Sequence, residues 1–538
     1  MDTNILYFGD NLEILRKYIL DNSIDLIYLD PPFNSKKDYN ILFRENGGVE
    51  SEAQIKAFTD TWHWTQAAQD TYHEISTKCP LKVSKLIGAL HDAIGNNDVM
   101  AYLVMMTIRL VELHRVLKPT GSLYLHCDPT ASHYLKLVLD QIFGPANFRN
   151  EIVWKRTFAH SSANRPGSVH DILLFYSKGS KYIWNPQYQD YDPIYIETFL
   201  DQVDEDGNRY MRIDLTGAGI SRGESGQPWR GIDVTAKGRH WAYAHETLER
   251  WDADGKIHWP KRPGGMPRLK RYREDLPGIL LQDVWNDIRP IHNLSSERLG
   301  YETQKPLPLL ERIIKASSNE GDIVLDPFCG CGTAVVAAQK LKRRWIGIDI
   351  THLAINLMRN RLRDSFPKIK FEVIGEPKDL GGAKALAQQD RYQFQWWALG
   401  LIGARPLGEK KKGADKGIDG VITFKHDAKG SYKRVVVQVK SGHVGVNAVR
   451  ELNTVVGDEA IGVLITLEPP TEPMRVEAVA SGYYHSLIYD KDYPKIQILT
   501  IEELFHDKRV EMPPQEQTSV TFTKAPKVSK EEGEQLTL

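Results

Sequence analysis

The tetrapeptide Asp30-Pro31-Pro32-Phe33 has the residue types needed to hold an aromatic amine. It follows the apolar run of residues 24–29, which predicts a buried parallel strand, and open α/β sheets bind ligands at the carboxyl ends of such strands. The Asp30 carboxylate can accept one N–H of the amine, and the Pro31 carbonyl can accept the other. Phe33 can stack on the ring, and the two prolines stiffen the loop. The alternative is an ordinary proline-rich turn.

Two acceptors around an exocyclic amine favour one kind of chemistry. Such an amine is a poor nucleophile because its lone pair is delocalised into the ring, and two acceptors favour a more tetrahedral nitrogen. A preorganised carboxylate also stabilises the charge that develops on that nitrogen in the transition state. A base inside a duplex must first leave the stack to reach such a site. We therefore expect this motif to serve methylation of a base amine.

A second candidate site is the glycine-rich turn DPFCGCGT, which runs from Asp326 to Thr333 between a predicted strand and a predicted helix. Gly330 and Gly332 let the backbone approach a ligand, and the helix N-terminus offers free N–H groups. Asp349 ends the next predicted strand, 23 residues beyond Asp326, where an acidic side chain can bind a ribose diol. The turn lacks the lysine of a P-loop and the third glycine of a dinucleotide site. The pattern favours a nucleoside cofactor with little phosphate over an ordinary tight turn.

The elements that must position these residues alternate between strand and helix, which predicts an α/β fold. A helix near residues 103–117 has one apolar face (Leu103, Met106, Leu110, Leu113, Leu117) and one predicted polar face (Arg109, Glu112, Arg115). Strands are predicted at 122–126, 323–325 and 345–348, and helices from Leu307 to Ala316 and from Thr333. Between residues 157 and 287 the periodicity dissolves into Gly, Pro, Arg, Tyr and Trp, which predicts an inserted module.

A basic stretch inside this inserted module has aromatic residues among its cations. Its charged members are Lys256, Lys261, Arg262, Arg268, Lys270, Arg271 and Arg273, and its aromatic members are Trp259 and Tyr272. One interpretation is a solvated loop. The other is a surface that follows phosphates and stacks on bases.

Length and composition set outer limits. A chain of 538 residues predicts two or three domains, and 41% hydrophobic with 26% charged residues is typical of globular proteins. No segment has the apolar length of a membrane span, and no signal peptide is visible. Four cysteines are too few for a disulfide scaffold, so we expect a reducing, cytoplasmic location. The net charge of −1 says nothing about a nucleic-acid partner.

The two motifs together resemble the permuted, β-class amino DNA methyltransferases. In that class the target motif precedes the recognition region and the cofactor motif follows it, as DPPF and DPFCGCGT do here. Further agreement lies in Gly9-Asp10-Asn11, in LKPTGSLYLHCDPTASHYLK from Leu117, in FRNEIVWKR from Phe148, and in TQKP from Thr303. The resemblance covers residues 1 to about 375.

This resemblance implies a Rossmann-like fold that uses S-adenosyl-L-methionine to methylate double-stranded DNA. It implies a catalytic part at 1–156, a target recognition domain at 157–287 that gives the basic stretch a DNA-binding role, and a cofactor part at 288–375. Asp326, Phe328, Gly330, Gly332 and Asp349 would line the cofactor pocket, with Thr303 and Lys305 near its methionine end. Asp at the head of the target motif favours adenine N6, and cytosine N4 is the alternative.

Residues 376–512 are not needed for methylation and predict a second α/β domain. Asp419 lies in the turn Gly417-Ile418-Asp419-Gly420, and Gln438 and Lys440 lie two apart on a predicted strand, so they share a face. An acid beside a cation suits a nuclease in which Mg²⁺ bound by Asp419 clamps the scissile phosphate. The pattern resembles the Mrr-like branch of the PD-(D/E)xK restriction endonucleases. One departure is Gln395, which stands where many members carry a glutamate, so a catalytically silent fold is the alternative.

These features together predict a modification enzyme of a restriction–modification or phage-defence system, with an attached nuclease-like domain and a disordered tail at 513–538. Two other hypotheses remain open at this point. One is an adenine methyltransferase whose last domain only binds DNA, and the other is a nuclease that uses its methyltransferase half to sense targets. The sequence leaves open a homodimer and defence-system partner proteins.

Overall fold

The computed structural model describes residues 4–32, 38–44, 50–59, 63–157, 166–262, 265–291, 304–406, 417–427, 431–457 and 461–514, with residues 295, 297 and 299. For 38–44 and 50–59 the description is limited to the backbone. The chain divides into two compact units, one formed by Met1–Asn185 with Asp283–Leu538 and the other by Pro186–Gln282.

The first part of the larger unit contains seven strands and five helices among its described residues. In chain order these are β1 (Ile5–Phe8), α1 (Asn11–Tyr18), β2 (Ile24–Leu29), β3 (Asp38–Arg44), β4 (Glu50–Thr59), α2 (Gln66–Lys78), α3 (Leu81–Ile94), α4 (Asp98–Val116), β5 (Leu117–Cys127), α5 (Pro129–Phe143), β6 (Phe148–Lys155) and β7 (His170–Ser177).

The smaller unit follows with short strands and two helices. These are β8 (Tyr188–Gln189), α6 (Pro193–Phe199), β9 (Gln202–Val203), β10 (Arg209–Asp214), β11 (Thr216–Ala218), β12 (Arg239–Trp241), α7 (His245–Ala253), β13 (Ile257–His258), β14 (Arg268–Tyr272) and β15 (Ile279–Leu280).

The larger unit then resumes, first with β16 and the elements of the predicted cofactor part and afterwards with those of the carboxyl-terminal domain. The first group is β16 (Val284–Trp285), α8 (Leu307–Ser317), β17 (Ile323–Asp326), α9 (Thr333–Lys340), β18 (Arg344–Asp349), α10 (His352–Ser365) and β19 (Glu372–Ile374). The second group is α11 (Leu380–Gln389), α12 (Arg391–Leu401), β20 (Arg405–Pro406), β21 (Gly420–Lys425), β22 (Tyr432–Lys440), α13 (Val446–Val456), β23 (Ile461–Thr466), α14 (Glu472–Ala480), β24 (Tyr483–Ser486), β25 (Lys491–Pro494), β26 (Ile496–Thr500) and α15 (Ile501–Phe505).

A nine-stranded sheet organises the methyltransferase-like part, in the order β16-β6-β7-β5-β2-β17-β18-β1-β19. The strands from β5 to β19 are parallel, and β7 is antiparallel to both of its neighbours. After β2 the next strand of this sheet is β5, on one side of β2, and after β17 the next strand is β18, on the other side of β17. The strand order therefore reverses between β2 and β17. Such a reversal opens a ligand crevice at the carboxyl ends of the strands. The α/β fold class is confirmed.

The predicted strand at residues 24–29 is confirmed as β2, and all six of its residues are buried. A strand buried on both faces needs a nearly continuous apolar run, which this sequence has apart from Asp25. The buried Asp25 carboxylate accepts hydrogen bonds from Lys118 Nζ at 2.7 Å and from the Ile323 backbone N–H at 2.9 Å. Asp25 therefore ties β2 to both of its neighbours in the sheet.

Helix α4 confirms the predicted apolar face but corrects the polar one. Arg109 was predicted on the solvent side, yet it is only 3% exposed. Its guanidinium lies 2.7 Å from the Asp10 carboxylate and donates to the Asn11 side-chain oxygen at 2.6 Å. A buried arginine needs such partners, and periodicity along one helix cannot show a partner on another. Leu117, also assigned to that face, begins β5 instead.

The smaller unit, Pro186–Gln282, is narrower than the predicted inserted module at 157–287. The difference arises because β7 and β16 belong to the main sheet. Inside this unit a four-stranded sheet has the order β13-β14-β10-β9. Its core is formed by Leu215, Trp229, Val234, Trp241, Leu248, Ile257 and Leu269.

The carboxyl-terminal domain has a five-stranded sheet in the order β20-β21-β22-β23-β26. Alternate residues of β22 serve two cores, since Val435, Val437 and Val439 pack against α12 and its neighbours while Val436 packs against α13 and α14. No helix in the part of the chain that the structure describes has the length and apolar character needed to cross a membrane. Residues 515–538, most of the predicted tail, lie outside the described residues.

Candidate functional site

Three acidic residues end neighbouring parallel strands at the same edge of the main sheet. Asp30 follows β2, Asp326 ends β17, and Asp349 ends β18, and these strands are adjacent in that order. The predicted target motif and the predicted cofactor turn, which are almost 300 residues apart in sequence, thus meet at the point where the strand order reverses.

Lys305 bridges the two motifs. It is 9% exposed and precedes α8, and its Nζ lies 2.5 Å from the Asp30 carboxylate. The family resemblance implied a position near the cofactor, and the structure places Lys305 directly against the target motif. The ion pair joins the target motif to the segment that precedes α8. Pro31 is buried and Pro32 is half-buried, whereas Phe33 and Thr303 lie outside the described residues.

The cofactor turn is held in its shape by backbone and carboxylate contacts. The Phe328 N–H donates to Asp326 Oδ1 at 3.1 Å, and the Gly330 N–H donates to Asp349 Oδ2 at 2.9 Å. Gly330 and Gly332 both have positive φ values, +48° and +76°. A Cβ on Gly332 would lie 2.6 Å from Met358 Cγ, so the position also lacks room for a side chain. Gly330 and Asp349, predicted from separate signals, are direct partners.

The electrostatics of this edge favour a positively charged ligand. Burial raises the pKa of the Asp326 carboxyl well above its usual range, and the neighbouring Asp30 and Asp349 carboxylates raise it further. Burial also raises the pKa of Asp349, against hydrogen bonds from Thr351 and Gly330 that favour its ionised form. Lys305 is the cation that opposes these effects at Asp326. A ligand bearing positive charge would complete the balance.

Sequence reasoning missed the role of Asn11. Its side-chain amide donates to the Pro327 carbonyl at 2.8 Å, and its oxygen accepts from Arg109. Asp10 caps α1 by accepting from the N–H groups of Leu12 and Glu13 while it pairs with Arg109. The Gly9-Asp10-Asn11 stretch was the available signal, but its contact with the cofactor turn depends on β1 lying beside β18.

A buried polar network beside the target motif was also missed. Tyr28 OH lies 2.9 Å from His126 Nδ1, and His126 Nε2 lies 3.1 Å from the Asp171 carboxylate. Arg156 contacts the same carboxylate at 3.2 Å. Burial acts to raise the pKa of Asp171, yet the hydrogen bond and charge of His126 hold it below its usual value. The network spans β2, β5, β7 and the end of β6, which no local pattern reveals.

Part of the predicted basic stretch lies on β14, where its side chains are distributed over both faces of the sheet. Arg268, Lys270 and Tyr272 alternate with Leu269 and Arg271 along β14, so the two sets face opposite sides. Arg268 and Lys270 are opposite Asp214 and Arg212 on β10, and the Lys270 ammonium lies 5.5 Å from the centre of the Tyr210 ring. Lys261, Arg262, Arg271 and Arg273 are exposed. The structure therefore does not bring all of the predicted cations onto one face.

The predicted nuclease residues are near one another but differ in their surroundings. Asp419 Oδ2 accepts the Val439 backbone N–H at 2.7 Å, so its carboxylate is turned toward β22. Gln438 is 2% exposed, and its Oε1 has no hydrogen-bond partner among the described residues. Gln395 is half-buried on α12, and Lys440 is half-buried at the end of β22. Within the described ranges, no group of three or more His, Cys, Asp or Glu side chains could hold a metal ion.

The larger part of the chain matches a known protein family. The DNA methylase family, N6_N4_Mtase, matches residues 24–360, and the chain belongs to that family. A second family, described as NACHT-associated inactive Restriction Endonuclease 1, matches residues 393–506. The two matches leave residues 361–392 between them, and the predicted start of the second domain at residue 376 lies in that interval.

Curated relatives come from restriction–modification systems. The type II methyltransferase M.EcaI of Enterobacter cloacae is 36% identical over 262 residues, which are 48% of this chain and 57% of that protein. The Mod subunit of the type III restriction-modification enzyme StyLTI of Salmonella typhimurium is 27% identical over 63% of this chain and 50% of its own length. The chain thus spans about half the length of these relatives.

Among the solved structures similar to this chain is that of a Thermus thermophilus protein described as a DNA modification methylase, in complex with S-adenosyl-L-methionine. It is 16% identical, the alignment covers 70% of this chain and 99% of that one, and the TM-score is 0.34.

Proposed function

We propose that this protein transfers a methyl group from S-adenosyl-L-methionine to the N6 amino group of adenine in double-stranded DNA. The observation that carries the proposal is that Asp30, Asp326 and Asp349 meet at the ends of neighbouring strands, where Lys305 pairs with Asp30. Cytosine N4 is the alternative target, because the same two acceptors can serve either amine. Membership of a family named for both amines is consistent with each.

The residues at the cofactor turn fit S-adenosyl-L-methionine. Asp326 is 4% exposed and has a raised pKa despite the opposing charge of Lys305, so a cationic ligand would favour its ionised form. Gly330 and Gly332 let the backbone approach a ligand, and Asp349 can accept from a ribose hydroxyl. When bound, S-adenosyl-L-methionine supplies an electrophilic methyl group.

On the target side, Asp30 and Pro31 orient the amine. The carboxylate accepts one N–H, the Pro31 carbonyl accepts the other, and Phe33 stacks on the extruded base. Lys305 holds Asp30 in place through their ion pair, so that its carboxylate would lie where positive charge develops on the amine nitrogen. Thr303, Phe328 and Gly332 complete the lining of the cofactor side in this proposal.

The Pro186–Gln282 unit is proposed to read the DNA sequence. Lys261, Arg262, Arg268, Lys270, Arg271 and Arg273 would contact phosphates, with Arg268 and Lys270 on one face of its sheet and Arg271 on the other. The names of the curated relatives favour a role in restriction–modification or phage defence.

For the carboxyl-terminal domain we propose a catalytically silent nuclease fold. One carboxylate, Asp419, with the neutral amides Gln438 and Gln395, offers a divalent cation little negative charge. Asp419 also uses one oxygen to accept the Val439 N–H. These residues do not fit a catalytic Mg²⁺ site, and the matching family is described as inactive. Lys440 would then bind DNA without taking part in its cleavage.

The test is the modified base itself. DNA from a host that expresses the protein is hydrolysed to nucleosides, which are separated by chromatography and mass spectrometry, with an Asp30→Ala host as control. We expect the nucleoside of N6-methyladenine only with the unaltered protein. Only N4-methylcytosine would overturn the adenine assignment, and no modified base despite cofactor binding would overturn the methyltransferase role.

A further inference from the structure

Helix α10 forms the support behind the cofactor turn. It begins three residues after Asp349, and its Arg361, only 1% exposed, donates to the Cys331 carbonyl at 2.9 Å and to Thr333 Oγ1 at 3.2 Å. Met358 occupies the space where a Cβ on Gly332 would lie. The conformation of the turn therefore depends on where α10 lies.

The other side of α10 is held by α12, the helix in which the match to the endonuclease family begins. The His352 backbone N–H donates to Gln393 Oε1 at 2.9 Å. The Asn356 side chain, 6% exposed, donates to the Trp396 carbonyl at 2.7 Å. Both bonds join the first two turns of α10, directly after Asp349, to a helix outside the DNA methylase match.

The contact between the two helices leaves no spare room. A Cβ on Gly400 would lie between 2.2 and 2.4 Å from the Asn356 amide atoms. Gln393, Trp396 and Gly400 follow helical spacing and form one face of α12, while Phe394 and Trp397 on an adjacent face pack into the domain's own core. One helix thus serves two purposes: it builds the endonuclease-like fold and it anchors α10.

We propose that the endonuclease-like domain is a positioning element of the cofactor site, so that α12 fixes α10 and α10 fixes the Cys331–Thr333 turn. This role needs no nuclease chemistry, and it rests on the proposed cofactor function of that turn. It gives a physical reason for an amide at position 393 and for a glycine at position 400 of this chain. Gln393, Asn356 and Gly400 are positioning residues, since they act on the turn through the contact between α10 and α12.

The test compares full-length variants that disturb this contact with variants that do not. Gln393→Ala, Asn356→Ala and Gly400→Ala disturb it. Gln389→Ala removes a matched, exposed glutamine at the end of α11, and Val449→Ala disturbs the core on the opposite face of the domain sheet. Thermal melts establish that each variant is folded at the assay temperature.

Two measurements of function and one of local stability are made on each variant. Calorimetry gives the Kd for S-adenosyl-L-methionine, and steady-state methylation separates its KM from kcat. Amide hydrogen exchange reports on the cofactor turn without any ligand. We expect the three contact variants to raise the Kd and KM about five-fold or more, as typical coupling between sites would. Exchange of the turn amides should quicken, while kcat at saturating cofactor and both control variants stay close to the unaltered protein.

The double variant Asn356→Ala/Gly400→Ala makes the test sharper. Asn356→Ala removes the three atoms nearest to a methyl group at position 400, so the two effects should be far from additive. Unchanged Kd and unchanged turn exchange in all three contact variants would overturn the proposal. Equal losses in Val449→Ala would overturn it too, because they would show a general loss of stability. Failure of the unaltered protein to bind the cofactor would instead overturn the proposed function. In that case the positioning role would still be tested by amide exchange, which should quicken at the turn in the three contact variants.

Discussion

The Asp349 carboxylate gives the most quantitative prediction for the cofactor site. It accepts three hydrogen bonds, from the Gly330 N–H, the Thr351 N–H and Thr351 Oγ1, each at 2.9 Å. A carboxylate has about four acceptor positions, so about one remains for a ribose hydroxyl. In Asp349→Asn the amide oxygen can still serve Thr351, but the new NH₂ group faces the Gly330 N–H, and two donors then meet.

Two losses follow from this geometry. A ligand bond to a charged acceptor is worth about 1.5–3 kcal/mol, and the unsatisfied Gly330 N–H costs about 1–3 kcal/mol of stability. The first loss corresponds to about a ten-fold to hundred-fold weaker Kd for S-adenosyl-L-methionine. Calorimetry on Asp349→Asn measures the Kd, and urea unfolding measures the free energy of unfolding.

Thr351→Val is the matched control. It keeps the carboxylate but removes one of its donors and the cap of α10, where Thr351 Oγ1 accepts the Ala354 N–H. We expect a stability loss of about 1 kcal/mol from the missing cap and a much smaller change in Kd. Normal cofactor binding by Asp349→Asn would refute the assignment of Asp349 to the ribose.

Four further outcomes are expected. Because burial raises the pKa of Asp326, binding of a cationic ligand should release a proton from this carboxyl. Cofactor affinity should therefore rise with pH until the pH passes that raised pKa. Calorimetry in buffers of different ionisation enthalpy should detect the released proton, and Asp326→Asn should abolish the release. Asp30→Ala should eliminate methyl transfer in a radiolabel assay while the cofactor Kd changes little, and retained activity would contradict the role of Asp30. Arg268→Ala/Lys270→Ala should lower the salt dependence of DNA binding by about 0.9 per lost phosphate contact, to be compared with Arg271→Ala/Arg273→Ala, and an unchanged slope in both pairs would exclude the basic stretch as a phosphate-binding surface. Plasmid incubated with the protein and Mg²⁺ or Mn²⁺ should stay intact whether unmethylated, hemimethylated or fully methylated, and cleavage that disappears in Asp419→Ala and Lys440→Ala would restore the nuclease hypothesis.

The sequence alone determined the elements that are strongly patterned and local. The apolar run of β2, the glycine-rich turn before α9 and the strand that ends in Asp349 were predicted correctly, because burial on both faces and the need for positive φ leave clear marks in a few consecutive residues. The α/β class followed from the same marks.

The tertiary structure decided every feature that depends on residues distant in the chain. Arg109 looks like a surface arginine until Asp10 and Asn11 lie beside it. Lys305 becomes the partner of Asp30 because β17 lies next to β2. Gly400 seems an ordinary helix glycine until Asn356 occupies the space where its Cβ would be. Hydrogen bonds, ion pairs and close packing are made between surfaces, and a sequence pattern describes one surface at a time.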